Sequence, residues 1–273
     1  MAQLSDWTCE FNGVVMGEPD SPVSIVAVDG LLSAPEIRSS DLVLVQRHGL
    51  WPGKDYMNGR TVTLTLEVYA ETREEFTEAL NGLQAAFQPC TDELPYRFRF
   101  PGVAGDQTAY AVARVRRRSA PLDLNFAYRT CMMVVELYAT SPFLIGDEPR
   151  AIPVRSMQRD PEDPDGPAYS PVSRFVQYGS FNARPAVEIH GAVSPTLIDD
   201  VTGEFFGVNY TGTVLVDSAA QTVTDGSGAS IAGLIKAGST WPAFAPGEHR
   251  LRLLSTDEFT QATAAVSWVD RWV

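Results

Sequence analysis

Lysine is nearly missing from this chain of 273 residues: of 21 basic side chains only Lys54 and Lys236 are lysines. Acids number 34, so the net charge is −13. Residues 1–150 hold 13 basic and 20 acidic side chains, and residues 171–273 hold 6 and 10. Neither half has the cationic surplus that attracts a phosphate backbone, which argues against an electrostatic nucleic-acid binder. Cysteine is scarce as well. Cys9, Cys90 and Cys131 are odd in number and widely spaced, which suits neither a disulfide framework nor a zinc site. No apolar run approaches eighteen residues, so no membrane-spanning helix is expected. The N-terminus has no basic segment followed by an apolar one, so no signal peptide is expected and the chain should be made in the cytosol.

Catalytic constellations are equally thin. His48, His190 and His249 form no pair at metal-ligand spacing and none neighbours a cysteine. His249, after Pro246-Gly247-Glu248, reads as a turn residue. No phosphate-cradling loop occurs, and Gly226-Ser227-Gly228 leads into no helix. Asp199 and Asp200 beside Phe205-Phe206 could suggest a glycosidase pair. Adjacent residues of a strand point to opposite faces, however, so the two carboxyls should not share a substrate. The reading is of a protein that is not an enzyme, with no catalytic residue, no metal and no cofactor.

What the chain does contain is strand pattern. Its length favours two domains. Thr61–Tyr69 alternates strictly, with Val62, Leu64, Leu66 and Val68 on one face. Val23–Val28, Leu42–Val45, Tyr96–Phe100, Tyr110–Arg118 and Phe126–Tyr138 read as further strands. One helix interrupts them. Thr72 and Glu75 have capping-box spacing, Phe76, Leu80, Leu83 and Phe87 make one stripe, and Pro89 closes it. The reading is mainly β: residues 1–150 form an N-terminal β-sandwich with one helix (α+β), and residues 172–273 form an all-β sandwich or jelly roll. Between them, residues 151–171 read as a linker rich in proline and acid, centred on Asp160-Pro161-Glu162-Asp163-Pro164-Asp165-Gly166-Pro167.

Two surface features stand out. Arg114, Arg116 and Arg118 alternate along a strand and should share one face, with Arg117 opposite. They suit carboxylate partners on a neighbouring subunit better than DNA, in so acidic a chain. Trp241, within Gly238-Ser239-Thr240-Trp241-Pro242, reads as an open loop aromatic on which a sugar could stack. Trp268 alternates with apolar residues and reads as core.

A set of marks in fixed order carries a resemblance. Asn182–Gly191, Asp199–Gly203, Val214–Asp217, Thr222-Val223, Asp225-Gly226, Trp241-Pro242, Pro246–His249 and Ala265–Trp268 resemble the C-terminal sandwich of the distal tail protein (Dit), or minor tail protein, family of long-tailed, siphovirus-type bacteriophages. Asn12-Gly13, Arg47–Tyr56, the helix after Thr72 and Val135–Phe143 extend the similarity over nearly the whole chain. The resemblance implies a virion protein of the tail tip, synthesised in the host cytoplasm. It implies a homo-hexameric ring built by the N-terminal domain, joining the tail tube to the tail-tip hub or baseplate around a channel for DNA. It implies a galectin-like or carbohydrate-module-like C-terminal sandwich. Tail tube protein, tape measure protein, hub protein and receptor-binding proteins would be the partners. The Arg47–Asn58 loop, with Arg47, Trp51 and Tyr56, and the strand of Arg114, Arg116 and Arg118 are then the expected intersubunit contacts. The alternative reading is a carbohydrate-binding protein that recognises envelope glycans through Trp241.

Overall fold

The computed structural model describes residues 3–163, 165–166 and 168–273. Two compact units divide the chain. Unit 1 comprises residues up to Asp147 together with Trp272–Val273, and unit 2 runs Glu148–Arg271. Trp272 is part of the unit 1 core.

Unit 1 contains β1 (Thr8–Phe11), β2 (Val14–Met16), β3 (Val23–Asp29), four two-residue strands β4 (Ile37–Arg38), β5 (Leu42–Val43), β6 (Leu50–Trp51) and β7 (Tyr56–Met57), and the long β8 (Arg60–Tyr69). Helix α1 (Arg73–Ala86) follows, then β9 (Leu94–Arg99), β10 (Ala109–Ser119), β11 (Thr130–Ala139) and β12 (Leu144–Gly146). The main sheet has the order β2-β1-β9-β10-β11-β8-β3. β10 joins its two halves: Ala109–Ala113 pair with β9 and Arg114–Ser119 with β11.

The strict alternation of β8 is realised as expected. Val62, Leu64, Leu66 and Val68 are buried, and Thr61, Thr63, Thr65 and Glu67 face the other way. Helix α1 lies on this core through Phe76, Leu80, Leu83 and Phe87. Each such side chain contributes roughly 1.5–3 kcal/mol on burial. Phe87 stacks on Phe11, with centroids 5.2 Å apart. Thr72 caps the N-terminus, its hydroxyl accepting from the Glu75 N–H at 3.3 Å.

The C-terminus of α1 has no basic residue in its own last turn. Arg118 supplies the cation from β10, donating to the Gln84 and Phe87 carbonyls. This follows from a β-bulge between Val115 and Arg117. The bulge absorbs Arg116 and shifts the register, so that Arg117 lies opposite Glu136 and Arg118 opposite Val135. The expected common face of Arg114, Arg116 and Arg118 is therefore broken. Arg118 turns to the helix, where a cation is favourable both for the free carbonyls and for the dipole. Arg118→Ala should cost about 1 kcal/mol in urea unfolding and leave the oligomeric state unchanged. A change in assembly would mean that Arg118 also serves a partner.

Unit 2 holds β13 (Arg150–Arg155), β14 (Ser173–Gln177), β15 (Ala186–Val193), β16 (Thr196–Asp199), β17 (Phe205–Gly207), β18 (Thr211–Asp217), β19 (Thr222–Asp225), β20 (Gly247–Leu254) and β21 (Thr263–Trp268). A five-stranded sheet of order β13-β21-β15-β18-β19 and a four-stranded sheet β14-β20-β16-β17 contribute to one core, as in a β-sandwich. Trp268 lies in that core, as its alternation predicts. The start of the expected linker is a strand instead. β13 pairs with β21 over its whole length, and the unit boundary falls at Asp147/Glu148. Pro153, which reads as a linker residue, is tolerated because β13 is the edge of its sheet. Pro164 and Pro167 of the expected linker lie outside the described residues.

Candidate functional site

Between β3 and β8 the chain leaves the unit 1 core as a hairpin arm, residues 31–59. Two short ladders order it: Ile37 and Arg38 pair with Met57 and Tyr56, and Leu42 and Val43 pair with Trp51 and Leu50. The Ser40 hydroxyl donates to the Lys54 carbonyl at 2.6 Å, and Asp41 accepts from the Gly53 N–H at 2.8 Å. Hydrogen bonding from the Gly53 N–H first, and then from the Ser39 side chain, holds the Asp41 carboxyl below its ordinary pKa. Arg38 rests over the Tyr56 ring.

The arm is apolar and uncovered. Val45 is 93% exposed, Val43 76%, Trp51 65% and Tyr56 56%, and Leu32, Ile37, Leu42 and Leu50 are exposed with them. The run Leu42–Val45 reads as an ordinary strand, yet no core receives it. Contiguous exposed apolar surface on this scale marks an interaction site. A two-stranded ribbon is also marginal by itself, so docking would stabilise it.

Arg60, the first residue of β8, anchors the arm. The residue is 2% exposed. It donates to the carbonyls of Gly30, Leu31 (3.0 Å), Ser33 (2.9 Å) and Pro142 (2.9 Å). Burial lowers its pKa, and no carboxylate offsets that. Gly30 is required beside it: φ is +90°, and a Cβ would lie 2.0 Å from the Thr61 carbonyl oxygen.

Arg47, Trp51 and Tyr56 all lie on the arm and are exposed. Arg114 and Arg116 lie elsewhere, on β10. Arg114 is opposite Tyr138, and the Arg116 guanidinium sits 5.0 Å from the Tyr138 ring centroid. A second exposed apolar feature, which sequence reading missed, caps the β10–β11 connection: Leu122, Leu124 and Tyr128, 80%, 76% and 68% exposed. Two leucines flanking a helix-capping aspartate were its available signal.

Unit 2 carries a buried histidine–aspartate hydrogen bond in place of the expected turn histidine. His249 lies within β20, 2% exposed, with Nδ1 2.5 Å from Asp199 Oδ2 and Nε2 2.7 Å from the Ala245 carbonyl. Asp200 points away and pairs with Arg252, so the two acids do occupy opposite faces. Trp241 is half-buried rather than open, packed on Phe206 with centroids 4.9 Å apart. A shallow groove on the five-stranded sheet is lined by Ala186, Glu188, Asp217, Thr222, Ala265 and Ser267 among others, with no aromatic residue. That groove offers no ring on which a pyranose could stack. Among the described residues no three His, Cys, Asp or Glu side chains gather in a metal-binding group.

No family model and no curated protein matches the chain. Solved structures do. The chain aligns with two structures of the phage P2 baseplate in its activated conformation, with calcium (8% identity, TM-score 0.42, 95% of this chain and 97% of that one) and with strontium (9%, 0.43, 95% and 96%). It aligns far better with the SPP1 Dit protein, described as a paradigm of the hub adsorption apparatus in phages infecting Gram-positive hosts: 13% identity and TM-score 0.66 over 97% of this chain and 99% of that one. The chain thus shares the fold of the SPP1 Dit protein, and its exposed apolar arm is part of unit 1.

Proposed function

We propose that the chain is a non-enzymatic structural protein of a phage tail tip. Unit 1 builds a six-membered ring that joins the tail tube to the hub or baseplate and leaves a channel for DNA. The single observation that carries this reading is the ordered, exposed apolar arm on the fold of the SPP1 Dit protein. Fold alone does not transfer function; the arm supplies the site-level argument, because its surface needs a protein partner. Arg47, Trp51 and Tyr56 contribute from the arm, and Arg114 and Arg116 from β10. Arg118 is engaged with α1 and is left out of the interface. Unit 2 then remains available as a docking module for hub or receptor-binding proteins, and the acidic surface suits a channel that DNA must traverse without sticking.

Native mass spectrometry of the purified protein, with negative-stain images of the same sample, tests the reading. Closed six-membered rings are expected. Trp51→Ala together with Val45→Ser should shift the protein to monomer without lowering its melting temperature, since both side chains are solvent-exposed in the single chain. A wild type that stays monomeric at every concentration, or a double variant that assembles normally, would count against it.

A further inference from the structure

We infer that the arm tip of one copy docks onto the opposite end of unit 1 in a second copy, on the apolar patch formed by Tyr69, Leu122, Leu124 and Tyr128. This inference rests on the proposed ring assembly and names the surface that receives the arm.

The patch is preorganised. Asp123 caps the 3-10 turn Leu124–Tyr128 by accepting from the Asn125 and Phe126 N–H groups. Phe126 is tied down on Phe76 of α1, with centroids 5.2 Å apart. Arg129, left-handed at φ 58°, closes the turn and donates to the Ala70 carbonyl at 3.1 Å. Thr130 then pairs with Tyr69. Leu122, Leu124 and Tyr128 are thereby held outward at the end of the sheet where Tyr69 is also exposed. Presenting rigid aromatic and aliphatic groups this way costs little ordering entropy on binding.

Charge selects the occupant. Beside Tyr69 runs a groove whose lining includes Asp20, Glu71, Glu75 and Glu78. None of these acids is in an ion pair among the described residues. The chain as a whole is acidic, but the arm between Asp41 and Asp55 contains no acid and carries Arg47, Lys54 and His48. Its Leu42, Val43, Val45, Leu50 and Trp51 supply the apolar half of the match. An apolar, cationic tip thus faces an apolar patch with an acidic rim, and such complementarity fixes register and partner choice.

Topology makes the contact intermolecular. The arm leaves β3 opposite Thr63 and re-enters at Arg60, the start of β8. The patch adjoins Tyr69, the end of β8. Ten residues of strand separate them, about 30 Å. One copy therefore presents donor and acceptor at opposite ends, the head-to-tail arrangement that closes into rings when the rotation permits.

The test is a charge exchange at exposed positions. Variant one is Arg47→Glu with Lys54→Glu; variant two is Glu71→Arg with Glu78→Arg. Each alone sets like charges against each other and should associate at least about a hundredfold more weakly than wild type. Mixed one to one, reversed arms meet reversed rims and native arms meet native rims, so association should return. Circular dichroism melts confirm that each variant is folded. Association of either variant alone at wild-type strength overturns the inference, as does a mixture that fails to associate. If the mixture assembles but wild type and mixture form open chains or rings of another number, the docking surface stands and the six-membered ring falls. If wild type forms six-membered rings while both variants do so too, the ring stands and the docking surface falls.

Discussion

Arg60→Met should unfold unit 1 at markedly lower denaturant than wild type, by about 3–5 kcal/mol, the cost of leaving buried polar groups without their charged partner. The methionine fills much of the volume but donates nothing, so the carbonyls of Gly30, Leu31, Ser33 and Pro142 lose their common donor. Water cannot readily replace it, because the residue is almost wholly buried. Arg60→Lys should recover only part of the loss: an ammonium has three donors and no planar fork to span carbonyls on separate segments. The measurement is urea unfolding of each variant, with hydrogen exchange followed at the arm. Exchange should rise across residues 31–59 before the rest of unit 1 responds, since three of the four carbonyls belong to the arm's root. A loss under about 1 kcal/mol for Arg60→Met would show that the clamp is replaceable.

This anchor illustrates what the sequence could and could not disclose. Features set by local period were legible: the alternation of β8, the stripe of α1 and its Thr72 cap. Features set by distant partners were not. Arg60 looks like the first polar residue of a strand; its importance arises from carbonyls 27 to 82 residues away. Arg118 looks like the third member of an alternating row, and one bulge at Arg116 redirects it to the end of a helix. Residues 151–155 fall inside the stretch that reads as linker, yet they pair as β13, whose edge position excuses the missing N–H of Pro153. Leu42–Val45 has strand composition, and composition does not say whether a core exists to receive it. That ambiguity bears directly on function, because an apolar strand without a core is how an assembly surface enters a sequence.

Trp241 teaches the complementary lesson. A loop tryptophan flanked by glycine, serine and proline reads as open, but its ring is spent on packing against Phe206. The groove on the five-stranded sheet is aromatic-free. The alternative of glycan recognition therefore finds no platform at Trp241 or in that groove, while unit 1 carries a run of uncovered apolar side chains on one arm. The surface most in need of a partner suits a protein.

In unit 2 the largest effect should come from His249, and its signature is a pH dependence. Both ring nitrogens face acceptors, the Asp199 carboxylate at 2.5 Å and the Ala245 carbonyl at 2.7 Å. Only the imidazolium can donate to both. Burial alone would depress the histidine pKa; the hydrogen bonds to Asp199 and Ala245, with the Asp199 charge, outweigh it and raise the pKa above 6.5. Burial would likewise raise that of Asp199, but donation from His249 and the Val201 and Arg250 N–H groups brings it below 3.8. Stability from the histidine is therefore complete below 6.5 and is lost as pH rises through its elevated pKa. Stability from the aspartate is complete above 3.8 and is lost as pH falls through its depressed pKa. Unit 2 should accordingly melt highest between about pH 4 and 6.5 and lose stability on the alkaline side, where most proteins change little. His249→Phe keeps ring packing against Phe175 and Phe244 but strands Asp199, and should cost about 3 kcal/mol at pH 6. It should also flatten the alkaline limb of the melting profile. Following the His249 ring proton by NMR gives the direct check: a titration midpoint at or below 6.5 would mean that the neutral ring is the buried species and that the pair is an ordinary hydrogen bond.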